Sequence, residues 1–412
     1  MNHAATVQRK TDLHLRRTLT KQAKVALICD LLEENWPSMD LVADMLYCQL
    51  ASHHSSTLQV AQLRPPMRRR FTRIPVIGGS DIAHNADRLF NRFIDYPRWM
   101  RKRTDKFDLF HIIDHSYAQL ARELPAGRTI ITCHDLDAFR CLLEPAREAR
   151  PLWFRAFSRR ILDGLGRAIR VICGSRVIHD EILTHKLISP ERLRVVYYGV
   201  HPALSPVPDS NADHTVSRLL QKLGPGPLIL NVGLPVPRKR LDVLLHVFAR
   251  VRQRFPKAGL IRVGGPLRES EARLATQLGL EPAIVSLPFL ERSELGAVYR
   301  RAALLLQTSE AEGFGLPLIE AMGCGCPVVA TDLPVLQEVG GAAVAFCPLA
   351  DLPGWTDTVS GLLHEREHNV VEWELRRQRA LRRAAQFSWT STASQMSDIY
   401  QEVLQIQDGL IE

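Results

Sequence analysis

Short apolar runs alternate with longer segments of helical periodicity along nearly the whole chain. Charged residues, glycine or proline bound each run, which is typical of strands buried on both faces of a parallel sheet. The predicted strands fall at 24–30, 108–113, 129–132, 171–175 and 191–197 in the first half, and at 228–233, 260–266, 283–290, 303–308, 327–330 and 342–348 in the second. This alternation predicts an α/β protein with two doubly wound, Rossmann-like domains.

The length of 412 residues also favours two domains of ordinary size. The run 205–226 is rich in Pro, Ser, Asp and Gly, so we predict that it is the hinge. An N-terminal domain of residues 1–204 would precede it, and a C-terminal domain of residues 227–387 would follow. The last segment, 388–412, has helical spacing.

The segment 309–331 carries the clearest candidate for a ligand site. It predicts a loop, a short helix, a tight turn and a buried strand. Gly313 and Gly315 flank Phe314 ahead of the helix, and Pro317 suits the first turn. A glycine loop at a helix N-terminus presents unpaired N–H groups and the positive end of the helix dipole. We therefore predict a phosphate or diphosphate site.

Two carboxylates bracket this glycine loop, Glu312 before it and Glu320 in the helix. A carboxylate is an acceptor that takes two hydroxyl groups at once, so a ribose diol and a hexose diol suit the two glutamates. The alternative for Glu320 is an ordinary residue that complements the helix dipole.

A second loop brings cations to the same edge of the predicted sheet. It follows the strand 228–233, which ends in Gly233, and it carries Arg238, Lys239 and Arg240. Loops after parallel strands gather at the carboxyl edge of the sheet, so Arg238 and Lys239 would neutralise a diphosphate there. We interpret Arg240 as a solvated residue at a helix start.

The string 312–341, EGFGLPLIEAMGCGCPVVATDLPVLQEVGG, closely resembles the signature of retaining glycosyltransferases of family four, in which two glutamates lie eight positions apart around Gly-Phe-Gly. The similarity covers roughly residues 24–405 and is stronger in the second half. It implies the GT-B fold, in which two domains face each other across a cleft and the last helix, here 388–412, crosses back to the first domain.

The resemblance also implies roles for individual residues. Glu320 would hold the ribose, and Glu312 would orient the donor sugar. Arg238 and Lys239 would stabilise charge on the leaving diphosphate. Further nucleotide-sugar contacts would come from Gly233, Gly313, Phe314, Gly315 and Leu316.

Two histidines follow predicted strands of the first half. His134, in the string HDL, resembles the family histidine that faces the donor sugar from the other domain. His115 lies at the end of another strand, and we interpret it as a structural residue. In many family members an arginine follows the glycine equivalent to Gly233, whereas this chain has Leu234, and Arg238 is the candidate to replace it.

The family implies transfer on the same face of the sugar, with the leaving phosphate helping to deprotonate the acceptor. No Asp-x-Asp triplet lies where a divalent cation would be needed, so we expect neither a metal nor another cofactor. Cys324 and Cys326 have no companion Cys or His pair, which argues against zinc.

The net charge of +9 predicts an anionic partner. Cations concentrate from Arg68 to Arg73 and from Arg98 to Arg103, interleaved with aromatic residues. Such a segment suits an anionic membrane surface, and the alternative is a solvated helix packed on the domain. No nucleic-acid-binding module accompanies the charge, so we expect no nucleic acid.

No apolar run is long enough to cross a bilayer, and the N-terminus lacks the apolar core of a secretory signal. We therefore expect a cytoplasmic protein, with any attachment peripheral, at the inner face of the cell membrane.

These observations lead to one functional hypothesis and two rivals. The hypothesis is retaining transfer of a hexose from a nucleotide diphosphate sugar to a hydroxyl of a glycan or lipid-linked acceptor, as in polysaccharide biosynthesis. UDP, GDP and ADP remain open as the nucleotide. The rivals are a nucleotide-sugar epimerase of the same fold and a catalytically silent sugar-nucleotide-binding protein.

Overall fold

The computed structural model of the chain describes residues 22–75, 78–407 and 409. Residues 1–21 lie outside the described residues, and they make up most of the N-terminal segment that the sequence predicts is not a secretory signal. Residues 408 and 410–412 of the predicted last helix lie outside them as well. The chain divides into two compact units. Unit 1 comprises the described residues up to 174, residues 178–197 and the segment from 389, and unit 2 comprises 175–177 and 198–388.

The strands are short and lie where apolar runs predict them, with one addition at 58–63. In chain order they are β1 Ala23–Ile28, β2 Leu58–Leu63, β3 Leu109–Ile112, β4 Thr129–Cys133, β5 Arg170–Cys173, β6 Leu193–Val195, β7 Leu228–Val232, β8 Gly259–Val263, β9 Ile284–Leu287, β10 Leu304–Gln307, β11 Val328–Thr331 and β12 Val344–Cys347.

Helices connect these strands. In chain order they are α1 Pro37–His53, α2 Asp81–Phe90, α3 Tyr96–Arg101, α4 Arg140–Leu143, α5 Leu152–Leu165, α6 Arg176–Thr184, α7 Ser210–Leu219, α8 Leu241–Arg254, α9 Glu269–Gln277, α10 Arg292–Arg301, α11 Leu316–Gly323, α12 Pro334–Gly340, α13 Leu352–His368, α14 Val370–Ala384 and α15 Trp389–Gln407. None of the helices in the described ranges combines the length and the apolarity that crossing a bilayer requires.

Each unit is built on a six-stranded sheet whose strands are all parallel. The order is β2-β1-β3-β4-β5-β6 in unit 1 and β12-β11-β10-β7-β8-β9 in unit 2. Successive connections change direction between β1 and β3 in the first sheet, and between β7 and β10 in the second. These are the topological switch points, beyond which ligands bind in open α/β sheets. The prediction of two doubly wound domains is confirmed.

The last helix, α15, packs within unit 1. Tyr400 on this helix contacts the buried His111 of β3 (Oη to Nδ1, 2.7 Å), while the Nε2 of His111 lies 2.7 Å from the Oγ1 of Thr132. Glu402 pairs with Arg170 at 2.6 Å. Burial lowers the pKa of His111 to about 3, so it is a neutral structural residue that joins the sheet to the helix.

The stretch predicted as a hinge, 205–226, contains helix α7 and belongs to unit 2. The Asp209 carboxylate caps the helix by accepting the N–H groups of Asn211 and Ala212, both at 3.1 Å. Arg300 then fixes α7 to α10 through Asp213 at 2.8 Å. The polar composition that suggested a linker is therefore partly that of a helix cap, since Asp and Ser favour such positions.

Candidate active site

The candidate site lies at the switch point of unit 2, where β7 and β10 are neighbours. The chain leaves β7 through Gly233 into the basic loop, and it leaves β10 through residues 308–315 into the glycine loop. The two loops are tied together, because Thr308 Oγ1 donates to the carbonyl of Lys239 (3.0 Å) and the N–H of Glu310 donates to the carbonyl of Arg238 (2.8 Å).

Glu312 is the centre of this arrangement. Its Oε1 atom accepts hydrogen bonds from Lys239 Nζ at 2.6 Å, Gln307 Nε2 at 2.7 Å and Ser309 Oγ at 2.7 Å. The guanidinium of Arg238 lies 3.7 Å from Oε2 and donates to the carbonyl of Ala311 at 3.1 Å. The structure therefore brings three of the predicted catalytic residues into one cluster.

The charge state of Glu312 follows from these contacts. Burial would raise the pKa of the Glu312 carboxyl, but the charges of Lys239 and Arg238, together with the hydrogen bonds from Lys239 and Ser309, hold its pKa below the usual value. Glu312 is therefore an anion at neutral pH, held in one orientation by surrounding donors.

The glycine loop has the backbone that its sequence predicts. Gly315 adopts a left-handed conformation (φ +96°), and a Cβ there would lie only 2.6 Å from the side chain of Leu336. Helix α11 begins directly after it, at Leu316, so the positive end of its dipole lies at this loop. Ser175 donates to the carbonyl of Gly313 at 3.1 Å.

Phe314 has its ring inside unit 2. The ring packs edge-on against Tyr198 (5.0 Å between centroids) and against Phe387 (5.9 Å). Only the backbone of Phe314 is thus placed to serve the glycine loop, while the side chain anchors it.

Glu320 has partners different from those of Glu312. Its Oε2 accepts from the hydroxyl of Tyr299 at 3.0 Å, and its Oε1 lies 3.6 Å from Arg292. Burial raises the pKa of Glu320, and the charge of Arg292 and the Tyr299 hydrogen bond offset only part of this effect. Tyr299 and Arg292 both come from helix α10, and sequence reasoning did not identify either of them.

Sequence reasoning also missed Arg262 of β8, which is fully buried. Its guanidinium donates to the carbonyls of Gly233 and Val263, and its Nε has no hydrogen-bond partner among the described residues. Burial lowers the pKa of Arg262 to about 10, so it remains a cation at neutral pH. The available signal was a single arginine in the otherwise apolar strand LIRV.

Gly233 lies next to both Arg262, which donates to its carbonyl, and Lys239 of the cluster around Glu312. Its φ is +138°, and a Cβ there would lie 3.3 Å from Cε of Lys239. A side chain at this position would crowd the lysine that pairs with Glu312. Arg240, beside the cluster, pairs instead with Asp242 (2.8 Å) and Glu310 (3.1 Å).

His134 lies in unit 1, after β4. Its Nε2 is 2.8 Å from the carbonyl of Ile113, and its backbone N–H donates to Nδ1 of His115 at 3.3 Å. Burial lowers the pKa of His134, and the nearby Asp114 only partly opposes this effect. His115 is itself buried, as expected of a structural histidine.

The described ranges contain no group of three or more His, Cys, Asp or Glu side chains arranged to hold a metal ion. The polar groups at the unit 2 switch point are instead cations, hydroxyls, amides and two separated carboxylates. This donor set suits an anionic ligand that carries hydroxyl groups.

Both units match models of known protein families. Residues 45–204 match the family described as Glycosyltransferase Family 4, and residues 218–368 match Glycosyl transferases group 1. Together the two matches cover about three quarters of the chain.

Individual proteins agree with these matches. A D-inositol 3-phosphate glycosyltransferase of Mycolicibacterium smegmatis is 30% identical over 297 residues, which is 69% of this chain and 64% of that protein. The serotype-specific mannosyltransferase WbdA of Escherichia coli is 26% identical over 283 residues, or 68% of this chain and 34% of that protein. The chain thus spans between a third and two thirds of the length of these relatives.

Among solved structures, Anabaena Alr3699/HepE in complex with UDP and glucose has a TM-score of 0.68 at 18% identity, covering 92% of this chain and 100% of that one. This likeness concerns the fold. The predicted resemblance is confirmed: the chain belongs to the family-four glycosyltransferases and has the GT-B fold.

Proposed function

We propose that this protein transfers a hexose from a nucleoside diphosphate sugar to a hydroxyl group with retention of the anomeric configuration. The observation that carries the proposal is the cluster of Lys239, Arg238 and Glu312 at the switch point, next to the N-terminus of α11. It combines cations for a diphosphate with a fixed carboxylate for sugar hydroxyls.

In this proposal each group has one task. Lys239 and Arg238 neutralise the charge that develops on the leaving diphosphate, and the backbone of 313–316 donates N–H groups to the phosphates. The bond between the anomeric carbon and the phosphate oxygen breaks while the acceptor oxygen bonds to the same face. The proton of the acceptor hydroxyl passes to the leaving phosphate.

The two glutamates would divide the donor between them. Glu312 accepts hydroxyl groups of the sugar, and Glu320 accepts the ribose diol. His134 keeps the role that the family resemblance implies, contact with the donor sugar, as a prediction. His134→Ala should then reduce transfer more than it reduces nucleotide affinity, since its contact is with the sugar.

The names of similar proteins support a nucleotide-sugar donor without fixing its identity. The HepE structure is described with UDP and glucose, and the relatives are described as a mannosyltransferase and an inositol-phosphate glycosyltransferase. We therefore propose a hexosyl donor and a polyol, glycan or lipid-linked acceptor.

The test begins with thermal-shift measurements using UDP, GDP and ADP, followed by the sugar derivatives of the nucleotide that binds. Release or transfer of an α-linked sugar with its anomeric configuration kept, followed by NMR, would support the proposal. Formation of an epimeric nucleotide sugar would instead identify an epimerase, and binding without turnover would identify a silent module.

Glu312→Gln and Glu310→Gln form a matched pair for the catalytic step. Glu310 lies two residues away, is exposed and pairs with Arg240 instead of Lys239. Transfer should be lost in Glu312→Gln with nucleotide binding retained, whereas Glu310→Gln should behave like the parent protein. Equal activity of both variants would remove Glu312 from the mechanism.

A further inference from the structure

Helix α13 of unit 2 carries two histidines that share one face. His364 and His368 lie four residues apart, which makes their side chains neighbours on a helix, and both are exposed. Their rings are stacked, with 4.1 Å between the centroids and 25° between the planes. Trp355, Val359 and Leu363 lie on the other side of the helix and pack in the core of unit 2. The pair therefore faces solvent on a helix whose opposite side is fixed.

The ring of His368 is held in the tautomer that a metal ligand needs. Its Nδ1 lies 3.1 Å from the carbonyl of His364. A carbonyl only accepts hydrogen bonds, so Nδ1 carries the proton and Nε2 of the neutral ring offers a lone pair. Metal-bound histidines commonly donate their second ring N–H to a backbone carbonyl in this way. One ligand of the pair is thus already oriented.

The spacing of the two rings suits a single bound ion. Zinc binds imidazole nitrogens at about 2.0–2.1 Å, so two nitrogens on a tetrahedral ion lie about 3.4 Å apart. Rings whose centroids are 4.1 Å apart reach this separation by a small rotation about their side-chain bonds. His368 is also the last residue of α13, where the negative end of the helix dipole favours a cation.

The residues around the pair form the string HEREH, 364–368. It fits the pattern His-Glu-x-x-His, in which two histidines of a helix bind zinc and the glutamate is the general base of a metalloprotease. Here Glu365 accepts two hydrogen bonds from Arg376, both at 2.8 Å, so its carboxylate is already engaged. Within the described ranges, no third His, Cys, Asp or Glu completes a metal-binding group. The contacts therefore favour metal binding without peptide hydrolysis.

We propose that His364 and His368 form a two-histidine site for a divalent transition metal on the surface of unit 2, with Zn²⁺, Ni²⁺ and Cu²⁺ as the ions that it takes. Imidazole nitrogen suits these ions, whereas Mg²⁺ and Ca²⁺ prefer oxygen ligands. Water fills the remaining coordination positions. The inference is independent of the proposed transfer reaction, which uses residues at the switch point.

The experiment is calorimetric titration of the untagged full chain with Zn²⁺, and with Mg²⁺ for comparison. We expect one tight Zn²⁺ site and no binding of Mg²⁺. H364N and H368N should each bind Zn²⁺ on the order of 100-fold more weakly, because the second ligand of a chelate acts at a high effective concentration. Electron paramagnetic resonance with Cu²⁺ should show two nitrogen ligands in the parent protein.

His53 and His54 supply a matched control. His53 is the last residue of α1 and His54 follows it, so the two side chains are adjacent in sequence and do not face each other. H53N/H54N removes the same number of imidazole rings and should bind Zn²⁺ like the parent. Zn²⁺ should also raise the melting temperature of the parent and of H53N/H54N but not that of H364N/H368N, because the pair faces one ion only while α13 is helical.

Two results would overturn the proposal. One is a Zn²⁺ affinity of H364N/H368N equal to that of the parent, with circular dichroism showing the same fold. The other is an equal loss of affinity in H53N/H54N, since Zn²⁺ would then bind to surface histidines without regard to their geometry.

Discussion

Replacing Arg262 by Met tests whether the buried cation beneath the Gly233 turn serves the diphosphate. The guanidinium is fully buried and donates to the carbonyl of Gly233, yet it has no carboxylate within ion-pair distance among the described residues. Glu271 acts on Arg262 from beyond ion-pair distance, and a buried cation without a close counter-charge is costly unless a ligand supplies one. In the proposed function, the diphosphate of the donor supplies that counter-charge.

The structure gives the size of the two opposing effects on stability. The fall in the pKa of Arg262 to about 10 corresponds to about 3 kcal/mol against the charged form in the folded state. Methionine removes this penalty but leaves the Gly233 carbonyl without its donor, which costs about 1–3 kcal/mol. We therefore expect the free energy of unfolding of the unliganded variant to lie within about 2 kcal/mol of that of the parent protein.

Arg262→Met should change diphosphate binding in one direction only, towards lower affinity. Two unit charges about 8 Å apart interact by about 2 kcal/mol at an effective dielectric constant near 20. We therefore expect Arg262→Met to bind a nucleoside diphosphate about 30-fold more weakly, and the bare nucleoside with unchanged affinity. Urea unfolding gives the stability, and calorimetric titration gives both affinities.

Arg252→Met is the control for this experiment. Arg252 lies in the same unit on α8, and it donates at 2.8 Å to the carbonyl of Pro256, which precedes the first residue of β8. Its loss should leave nucleotide affinity intact. If Arg262→Met bound the diphosphate as tightly as the parent did, or lost nucleoside and diphosphate affinity equally, the electrostatic role of Arg262 would be refuted.

The remaining predictions concern stability. Glu312→Gln should cost about 3 kcal/mol at pH 7, because Lys239, whose side chain is only 13% exposed, loses its counter-charge. Since the pKa of Glu312 is lowered by folding, the unfolded chain binds more protons, and in urea unfolding this deficit should shrink as the pH falls below about 4.3, the pKa of an unfolded glutamate. Asp87→Ala should cost about 2–3 kcal/mol and speed tryptic cleavage at Arg69 and Arg73, since the carboxylate holds their loop. Hydrogen bonds from residues 70–72 outweigh the effect of burial and lower the pKa of Asp87 to about 2, so its stabilisation should persist above about pH 4 and disappear as the pH falls towards 2. Gly315→Ala should lower the melting temperature and nucleotide affinity together, because of its positive φ and the 2.6 Å contact of its Cβ, whereas Gly361→Ala, with open space at its Cβ, should do neither.

The fold could be read from the sequence where strands are buried on both faces. The run 129–132 predicts β4, observed as Thr129–Cys133, and 228–233 predicts β7, observed as Leu228–Val232. The strand β2 was missed because it is the edge of its sheet, and only Leu58 of its six residues is buried. Such a strand carries polar residues such as Gln59 and lacks a continuous apolar run.

Only those residues of the candidate site that lie on loops after strands could be predicted from the sequence. Glu312, Lys239 and Arg238 follow strands, and parallel topology brings strand ends to one edge, so their proximity could be inferred from order alone. Gln307 and Arg262 lie within strands and reach the same place by packing. A single polar residue in an apolar run shows that a buried group needs partners, but it does not show which partners the fold supplies.

The two glutamates of the glycine loop show why residue type alone does not assign a role. The cations around Glu312 lower its pKa, whereas burial raises the pKa of Glu320, whose nearest cation is Arg292 at 3.6 Å. Carboxylates whose environments separate their pKa values commonly divide the work of a site. On the proposed function, an arriving diphosphate competes with Glu312 for Lys239, because both anions need the same donor. Oε1 of Glu312 would then lose one of its three donors and could accept a sugar hydroxyl in place of Lys239, so that sugar orientation would depend in part on the presence of the leaving group.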